Sequence, residues 1–531
     1  MTSSREARRL PGLEILGLLG IVGLAAVLRL HDLPTRGSWD ADQGHDMLVL
    51  VRFVQDGVWP LLGPPTSIGD FHHGALYYYL LAPAAWLGGG DPTWVVGEIA
   101  LSGIAAVAVT WWVARSMAGP VAGFVAGLVL AVSAAAVEGS TFIWNPNLIA
   151  LSSAIAVAGA WRAWTTRRAA WWLVAAVGLA VTMQCHVLGI VMLPPLAALL
   201  VADARRPGRR TAVLRVGLAG LGLIVLSYTP LIANELTTGF TETQRALAFL
   251  RSGGSPVALD PLSRVLFAGL RVVAWPLVGL VTDAPVAALL ITAVVVAIVV
   301  LRGRSATGDE RTAIRWLGAT LAWSALALGL GTAGLATVVP GLPVDHYHAF
   351  LDPIVAIVVG MGAAALWRLR TPATRGTTST SAAAVLIGPA TAVVLVGALL
   401  AWNALHQPPE VAADGGYPAA LRAAERVVGT DGDRVGLIAS LPAFKSAEAY
   451  AFPLRRLGSN VHPALIDAMG GVDSLTVLCD SLFKEAIGAA CAGPAEDRLA
   501  QTISAYGKTV HLADRFEGAP GRWLSVYLAN P

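Results

Sequence analysis

The run Pro11–Leu30, PGLEILGLLGIVGLAAVLRL, continues into residues 31–46, HDLPTRGSWDADQGHD, and this junction decides the reading of the chain. About twenty mostly apolar residues are enough for a helix to cross a bilayer. The basic residues Arg5, Arg8 and Arg9 precede the run and no small-residue cleavage site follows it. It therefore reads as an uncleaved first span rather than a removed signal peptide. Directly after it come three carboxylates and a histidine within eight residues.

The same pattern extends outward. Of 531 residues, 55% are hydrophobic and 13% are charged, whereas a soluble surface demands about 25% charged. Runs 11–30, 93–113, 119–137, 147–163, 170–184, 187–202, 212–233, 284–301, 316–338, 349–367 and 382–402 give eleven candidate spans, with thirteen as the upper bound. The expected fold is a polytopic α-helical membrane protein, and the 56 glycines suit close helix packing in lipid. The net charge of +3 gives no basis for nucleic-acid binding.

Short basic loops stay cytoplasmic. With the N-terminus inside, strict alternation puts Arg115, Arg162, Arg167 and Arg168 inside. The same holds for Arg205, Arg206, Arg209 and Arg210, then Arg302, Arg304, Arg311 and Arg315, and finally Arg368, Arg370 and Arg375. Every strongly basic short loop lands on one side. Residues 74–88, GALYYYLLAPAAWLG, are too short to span and read as an interfacial or re-entrant helix, with the tyrosines at headgroup level. Residues 261–280 carry Arg264 and Arg271 in apolar surroundings and also read as interfacial, a deeply inserted hairpin being the alternative.

Residues 1–402 then form the membrane module and 403–531 a small extracytoplasmic α/β domain. The domain has β-rich runs at Arg434–Ala439, Leu475–Leu478 and Trp523–Leu528 and a helix at Pro418–Val428. Facing an oxidising compartment, Cys479 and Cys491 are placed to form a disulfide.

Polar clusters gather on the outer side. The first is Asp40, Asp42, His45 and Asp46, followed by Asp70, His72 and His73. The second is Glu138 to Asn147, where Asn145-Pro146-Asn147 is also an ordinary helix-entry turn with Asn147 as cap. The third is Gln184-Cys185-His186, a polar pair of the kind that bonds between helices. The fourth is Asp345-His346-Tyr347-His348 with Asp352 a turn deeper; its histidine spacing is a weak metal signature. Any one of these is explained by a long loop carrying polar residues. Together they share one side, as a single outward cavity requires. No Walker A motif, no GxGxxG opening a helix and no CxxC pair occurs, so nucleotide-driven pumping and nucleotide-sugar binding lack support.

At these residues the chain resembles the GT-C superfamily of polyprenyl-phosphate-sugar-dependent glycosyltransferases, in the family-39 and aminoarabinose-transferase-like branch that includes the protein O-mannosyltransferases. Asp42-Gln43 falls at the family's acidic pair and His73-Gly74-Ala75-Leu76-Tyr77-Tyr78 at its second motif. Asn145-Pro146-Asn147 and Gln184-Cys185-His186 fall at two outer turns. The likeness covers roughly residues 10–235. It implies a polyprenyl-phosphate-linked sugar donor, an extracytoplasmic acceptor (lipid, glycan or protein), a plasma-membrane location and an inverting transfer. Gln43 departs from the pattern and cannot be a base. That leaves Asp42 as general base with Asp40 as understudy. The resemblance puts the donor phosphate and lipid against His45, His73, His72 and Tyr77, with Arg52, Arg264 or Arg271 supplying fixed charge. It puts Asp46, Glu138, Asn145, Asn147, Gln184, His186, Asp345, His346, Tyr347 and His348 around the substrate. No cofactor is required, although Asp40-Ala41-Asp42 spells D-x-D, which elsewhere holds Mg or Mn.

Two rivals compete. A transporter or flippase of a lipid-linked or small solute would carry ionisable residues near the midplane and repeated halves, and neither is visible. A receptor or scaffold presenting 403–531 has no need of carboxylates and histidines spread over separate loops.

Overall fold

The structure, a computed structural model, describes residues 12–66, 70–252, 259–331, 345–369, 382–463, 472–504 and 509–529. Arg5, Arg8, Arg9, Arg370, Arg375 and the end of the 316–338 run lie outside them.

The chain enters through α1 (Gly12–Leu30) and continues as α2 (Ala41–Asp56), a hairpin of β1 (Leu62–Pro65) and β2 (His72–Gly74), and α3 (Leu76–Leu87). The bundle follows: α4 (Pro92–Ala118), α5 (Pro120–Val132), α6 (Ile149–Thr166), α7 (Trp171–Cys185), α8 (Leu193–Ala204) and α9 (Arg210–Ser227). Then come α10 (Thr241–Ser252), α11 (Pro261–Val278), α12 (Pro285–Ser305), α13 (Gly308–Gly331), α14 (Asp352–Arg368) and α15 (Ala382–Leu405). Among the described residues, ten helices are long and apolar enough to cross a membrane, and Pro120–Val132 and Trp171–Cys185 are shorter apolar helices. This is a multi-pass membrane protein.

The 18-residue helix α11 is one of the ten by length and composition, yet both of its ends sit at one end of the bundle. Near its start, Arg264 donates to Leu330 O beside the end of α13. At its finish, Asn403 donates to Leu277 O at 2.7 Å and Trp402 to Val278 O at 3.1 Å, beside the end of α15. Those two ends of α13 and α15 belong to the same face, so α11 lies along that face. With α11 set aside and the two shorter helices counted, the described chain crosses eleven times, as the alternation of basic loops requires.

Small residues set the closest crossings. Gly178 of α7 leaves no room for a Cβ against Ser152 O and Ala156 N of α6, and Gly159 of α6 leaves none against Ala175 N of α7. Dispersion gained at such contacts replaces the hydrophobic drive that lipid does not supply. At one end of the bundle the arginines are tied down locally: Arg115 to Glu14, Arg209 to Asp203, and Arg302 and Arg368 to Glu310. The opposite end carries the polar clusters.

The tail forms α16 (Gly416–Asp431), α17 (Glu448–Arg456) and a five-stranded sheet in the order β4 (Val461–Pro463), β3 (Gly436–Leu441), β5 (Ser474–Asp480), β7 (Arg522–Ala529), β6 (Val510–Ala519). The strands β3, β4 and β5 run parallel, and β7 is antiparallel to both neighbours. A disulfide joins Cys479 to Cys491. Strands β4 and β6 were not anticipated, being short or interrupted by charge. The tail packs onto the first loop. Trp39 donates from its indole to Ala449 O at 2.6 Å, accepts from Arg522 at 2.8 Å, and lies 4.6 Å from the ring of Tyr417.

One expectation about α3 is corrected. Tyr77 and Tyr78 do not turn their rings outward to headgroups. Both are fully buried, because a buried carboxylate on α2 needs their hydroxyls. Tyr79 alone lies among the surface rings of Phe53 and Trp59.

Candidate functional site

The site is built on α2. Asp40 is its N-cap and accepts from Ala41 N at 2.7 Å, while the Gln43 side chain accepts from Asp40 N at 2.8 Å, a reciprocal capping box. Gln43 also donates to Ile143 O at 2.8 Å. Amide chemistry at position 43 thus closes the helix start and ties it to the 141–147 loop. The helix stops at Gly57, whose left-handed φ of 71° glycine adopts without strain.

From α2, Asp42, His45 and Asp46 face a cavity of about 240 Å³. Asp42 is exposed within it. Enclosure, and then the Asp40 carboxylate, raise its pKa above the ordinary aspartate value, against the pull of Lys445, His45 and a hydrogen bond from Trp144. Asp46 is buried and accepts from Tyr77 and Tyr78 at 2.8 Å each; burial outweighs those bonds and pushes it to about 7. Burial alone would lower His45, but Glu448 outweighs it by holding Nδ1 at 3.0 and 3.1 Å, and the carboxylates of Asp46 and Asp42 add to the rise.

Three more histidines meet across the cavity. The ring of His186 lies 5.1 Å from His73 and 5.5 Å from His346. His346 packs at 4.1 Å against both Trp144 and Tyr347. Burial is the leading cause that moves all three down: His73 well below the ordinary value, His186 and His346 to about 3. They are neutral at physiological pH. His73 Nδ1 accepts from Val187 N at 3.3 Å and His186 Nδ1 from Leu188 N at 3.2 Å. An Nδ1 that accepts carries no proton, so in both rings the proton lies on Nε2. Each is then a hydrogen-bond donor at Nε2, suited to an anion and unsuited to a metal ion.

Of the sequence-derived residues, Asp42, His45, Asp46, His73, Asn145, His186, His346 and Tyr347 line this one cavity. Asn145 also donates to Cys185 O, which pins the 141–147 loop to the end of α7. The others do not line it. Asp40 is held by Lys445 at 2.6 Å and Arg522 at 3.2 Å. An ammonium therefore occupies the place a divalent ion needs, and D-x-D does not fit a metal here. His72 is turned aside by Glu242, which accepts from its backbone N at 2.7 Å and contacts its ring at 3.0 Å. Tyr77 serves Asp46. Gln184 bonds Ser227 at 2.9 Å and faces Gly74, where a Cβ would collide with its amide oxygen. Asn147 donates back to Phe142 O at 2.7 Å and caps nothing. Glu138 closes the short helix Ala134–Glu138 away from the cavity.

The arginines also fall elsewhere. Arg271 forms a buried two-bond pair with Asp345, at 2.7 Å each, and His348 joins that carboxylate at 3.1 Å. Pairing cancels the charge that Arg271 was expected to offer, and it removes Asp345 and His348 from the cavity wall. Arg264 caps the end of α13, and Arg52 lines a neighbouring cavity. Sequence reasoning missed Glu448, Ser446 and Trp144. The first two come from the tail, about 400 residues away, and no local signal joins them to His45.

A family model described as dolichyl-phosphate-mannose-protein mannosyltransferase matches residues 72–230. That stretch runs from β2 to just past α9 and includes His73, Asn145 and His186. No curated protein sequence matches. Among solved structures, ArnT from Cupriavidus metallidurans in the apo state is similar with a TM-score of 0.58 at 14% identity, over 97% of this chain and 98% of that one. The same protein bound to undecaprenyl phosphate gives 0.59 at 13%, over 97% and 98%. The Archaeoglobus fulgidus oligosaccharyltransferase in complex with Zn and sulfate gives 0.50 at 11%, over 96% and 72%. The chain therefore has the GT-C fold, in its ArnT-like form.

Proposed function

We propose that the protein is a membrane glycosyltransferase that moves a sugar from a polyprenyl-phosphate donor to an acceptor on the extracytoplasmic side. The carrying observation is the pairing, in one cavity, of an exposed carboxylate with neutral imidazoles that donate at Nε2. The fold shared with a protein solved bound to undecaprenyl phosphate supports the donor class. The arginine-bearing end of the bundle lies in the cytoplasm of a plasma membrane and the cavity faces outward.

In this reading His73 and His186 hydrogen-bond the donor phosphate through Nε2–H, and His45, kept protonated by Glu448, adds charge. Asp42 takes the acceptor hydroxyl proton. The acceptor oxygen attacks the anomeric carbon from the face opposite the phosphate, the carbon–oxygen bond to phosphate breaks, and the configuration inverts. The imidazoles meet the charge developing on the leaving lipid phosphate. Hexoses and pentoses are the sugar classes in view.

Asp42→Asn tests the assignment. The purified variant is expected to bind undecaprenyl phosphate as the native protein does, and to lose turnover of a polyprenyl-phosphate sugar by about 10²–10⁴-fold, the usual worth of a general base. Native turnover in that variant would remove Asp42 from the mechanism.

A further inference from the structure

A groove of about 560 Å³ lies between α1 and α15, at the arginine-bearing end of the bundle and opposite the polar clusters. Its floor is α5, where Phe124 is exposed. Small residues keep it open. A Cβ at Gly397 would meet nothing within 4 Å, and one at Gly17 would only touch Phe124 at 3.6 Å. All three helices are apolar spans, so the groove faces hydrocarbon rather than water. Its volume is that of a ligand cavity, roughly 300–1,000 Å³.

One end of the groove is charged. Glu14, on the first turn of α1, lines it. Arg115 bonds Glu14 through Nε at 2.5 Å, and its guanidinium lies 5.9 Å from the ring of Trp111 in the groove wall. The terminal nitrogens of Arg115 and the second oxygen of Glu14 have no further hydrogen-bond partner among the described residues. This ion pair therefore offers donors to an anion and an acceptor to a cation, side by side at the rim of an apolar trough.

We propose that the groove binds one phosphatidylethanolamine molecule, with an acyl chain along Phe124 and the headgroup on the Glu14–Arg115 pair. The lipid phosphate takes the free N–H groups of Arg115, and the ammonium donates to the open oxygen of Glu14. Choline has no N–H to give, and an anionic headgroup has no cation for Glu14. The site is independent of the glycosyltransferase reading. Its two walls matter to the fold, because α1 runs on into α2 and α15 into the tail. A lipid bridging those walls braces, from the opposite end of the bundle, the two parts that meet beside Asp42.

The experiment uses the full chain in detergent, stripped of its membrane lipids. Dioleoyl phosphatidylethanolamine, phosphatidylcholine and phosphatidylglycerol are titrated and the bound species counted by native mass spectrometry. One ethanolamine lipid per chain is expected to bind about tenfold more tightly than either other lipid, the usual worth of a charged hydrogen bond. Gly397→Phe fills the trough without a clash and should weaken that binding about tenfold or more. Glu14→Gln removes the ammonium's partner and frees Arg115, so the preference should pass to phosphatidylglycerol; a variant that merely misfolds would lose all three lipids alike. The proposal is overturned if the three lipids bind alike, if Gly397→Phe binds like the native chain, or if Glu14→Gln keeps the ethanolamine preference. It is also overturned if tight binding appears only after residues 2–10 are deleted, which would make that segment the occupant.

Discussion

Asp42 keeps its proton to a higher pH than an ordinary aspartate, first because cavity walls displace water from it and then because Asp40 lies on the same turn. In the proposed mechanism Asp42 is the base, and a base works only when deprotonated, so activity is expected to fall as pH drops through this raised pKa. Asp40→Asn removes the repulsion and leaves Lys445 and Arg522 unneutralised nearby; both changes lower the pKa of Asp42. Asparagine caps a helix as well as aspartate does, so α2 should persist. The acid limb of the pH profile of kcat/KM is expected to move to lower pH in this variant, and an upward move would contradict the account. His45 has the opposite sign. Its pKa is raised, so its charge is present at low pH and lost as pH rises through that value. Glu448→Gln removes the main support, and the alkaline limb should move to lower pH. An unchanged profile would show that His45 carries no charge that matters.

At the scale of elements, the join between α2 and α17 decides whether the site exists. Gly44 lies against the backbone of Glu448 and Ala449 so closely that a Cβ would overlap Glu448 O. The crowding atom is main chain and cannot swing away, so Gly44→Ala must push the helices apart. A cost of about 1–3 kcal/mol, typical of overpacking, should appear as a lower thermal midpoint together with lost transferase activity. An unchanged midpoint would refute the contact. The capping box explains why a glutamine follows Asp42. Its amide both accepts from Asp40 N and donates to Ile143 O, and a glutamate carboxylate could not make the second bond.

At the scale of the whole molecule, the parity of the spans rests on α11. If it lies along the site face, cysteines placed at Leu259 and Asp283 react with an impermeant maleimide from the same side of the membrane as one at Gln407. Labelling of 259 and 283 from opposite sides would make α11 a span and invert every later loop. The native background is low, since Cys185 is buried and Cys479 and Cys491 are joined. The tail is joined to the site by ion pairs. Lys445 and Arg522 hold Asp40, and Glu448 holds His45.

The sequence by itself determined the membrane-spanning class, the set of eleven candidate spans and the face on which chemistry gathers. Apolar run length and the side of arginines are local properties that a bilayer reads one segment at a time. It also marked Asp42, His45, His73, His186 and His346, because ionisable side chains beside spans are costly unless partnered or used. Only the tertiary structure decided which polar residues were partners and which were left facing the cavity. Asp40, His72, Arg271 and Asp345 look as functional in the sequence as Asp42 does. Each is claimed by a partner 74 to 405 residues away, and such pairing leaves no trace in composition, periodicity or spacing. Glu448 is the converse case, an unmarked glutamate in a distant tail that the fold delivers to the centre.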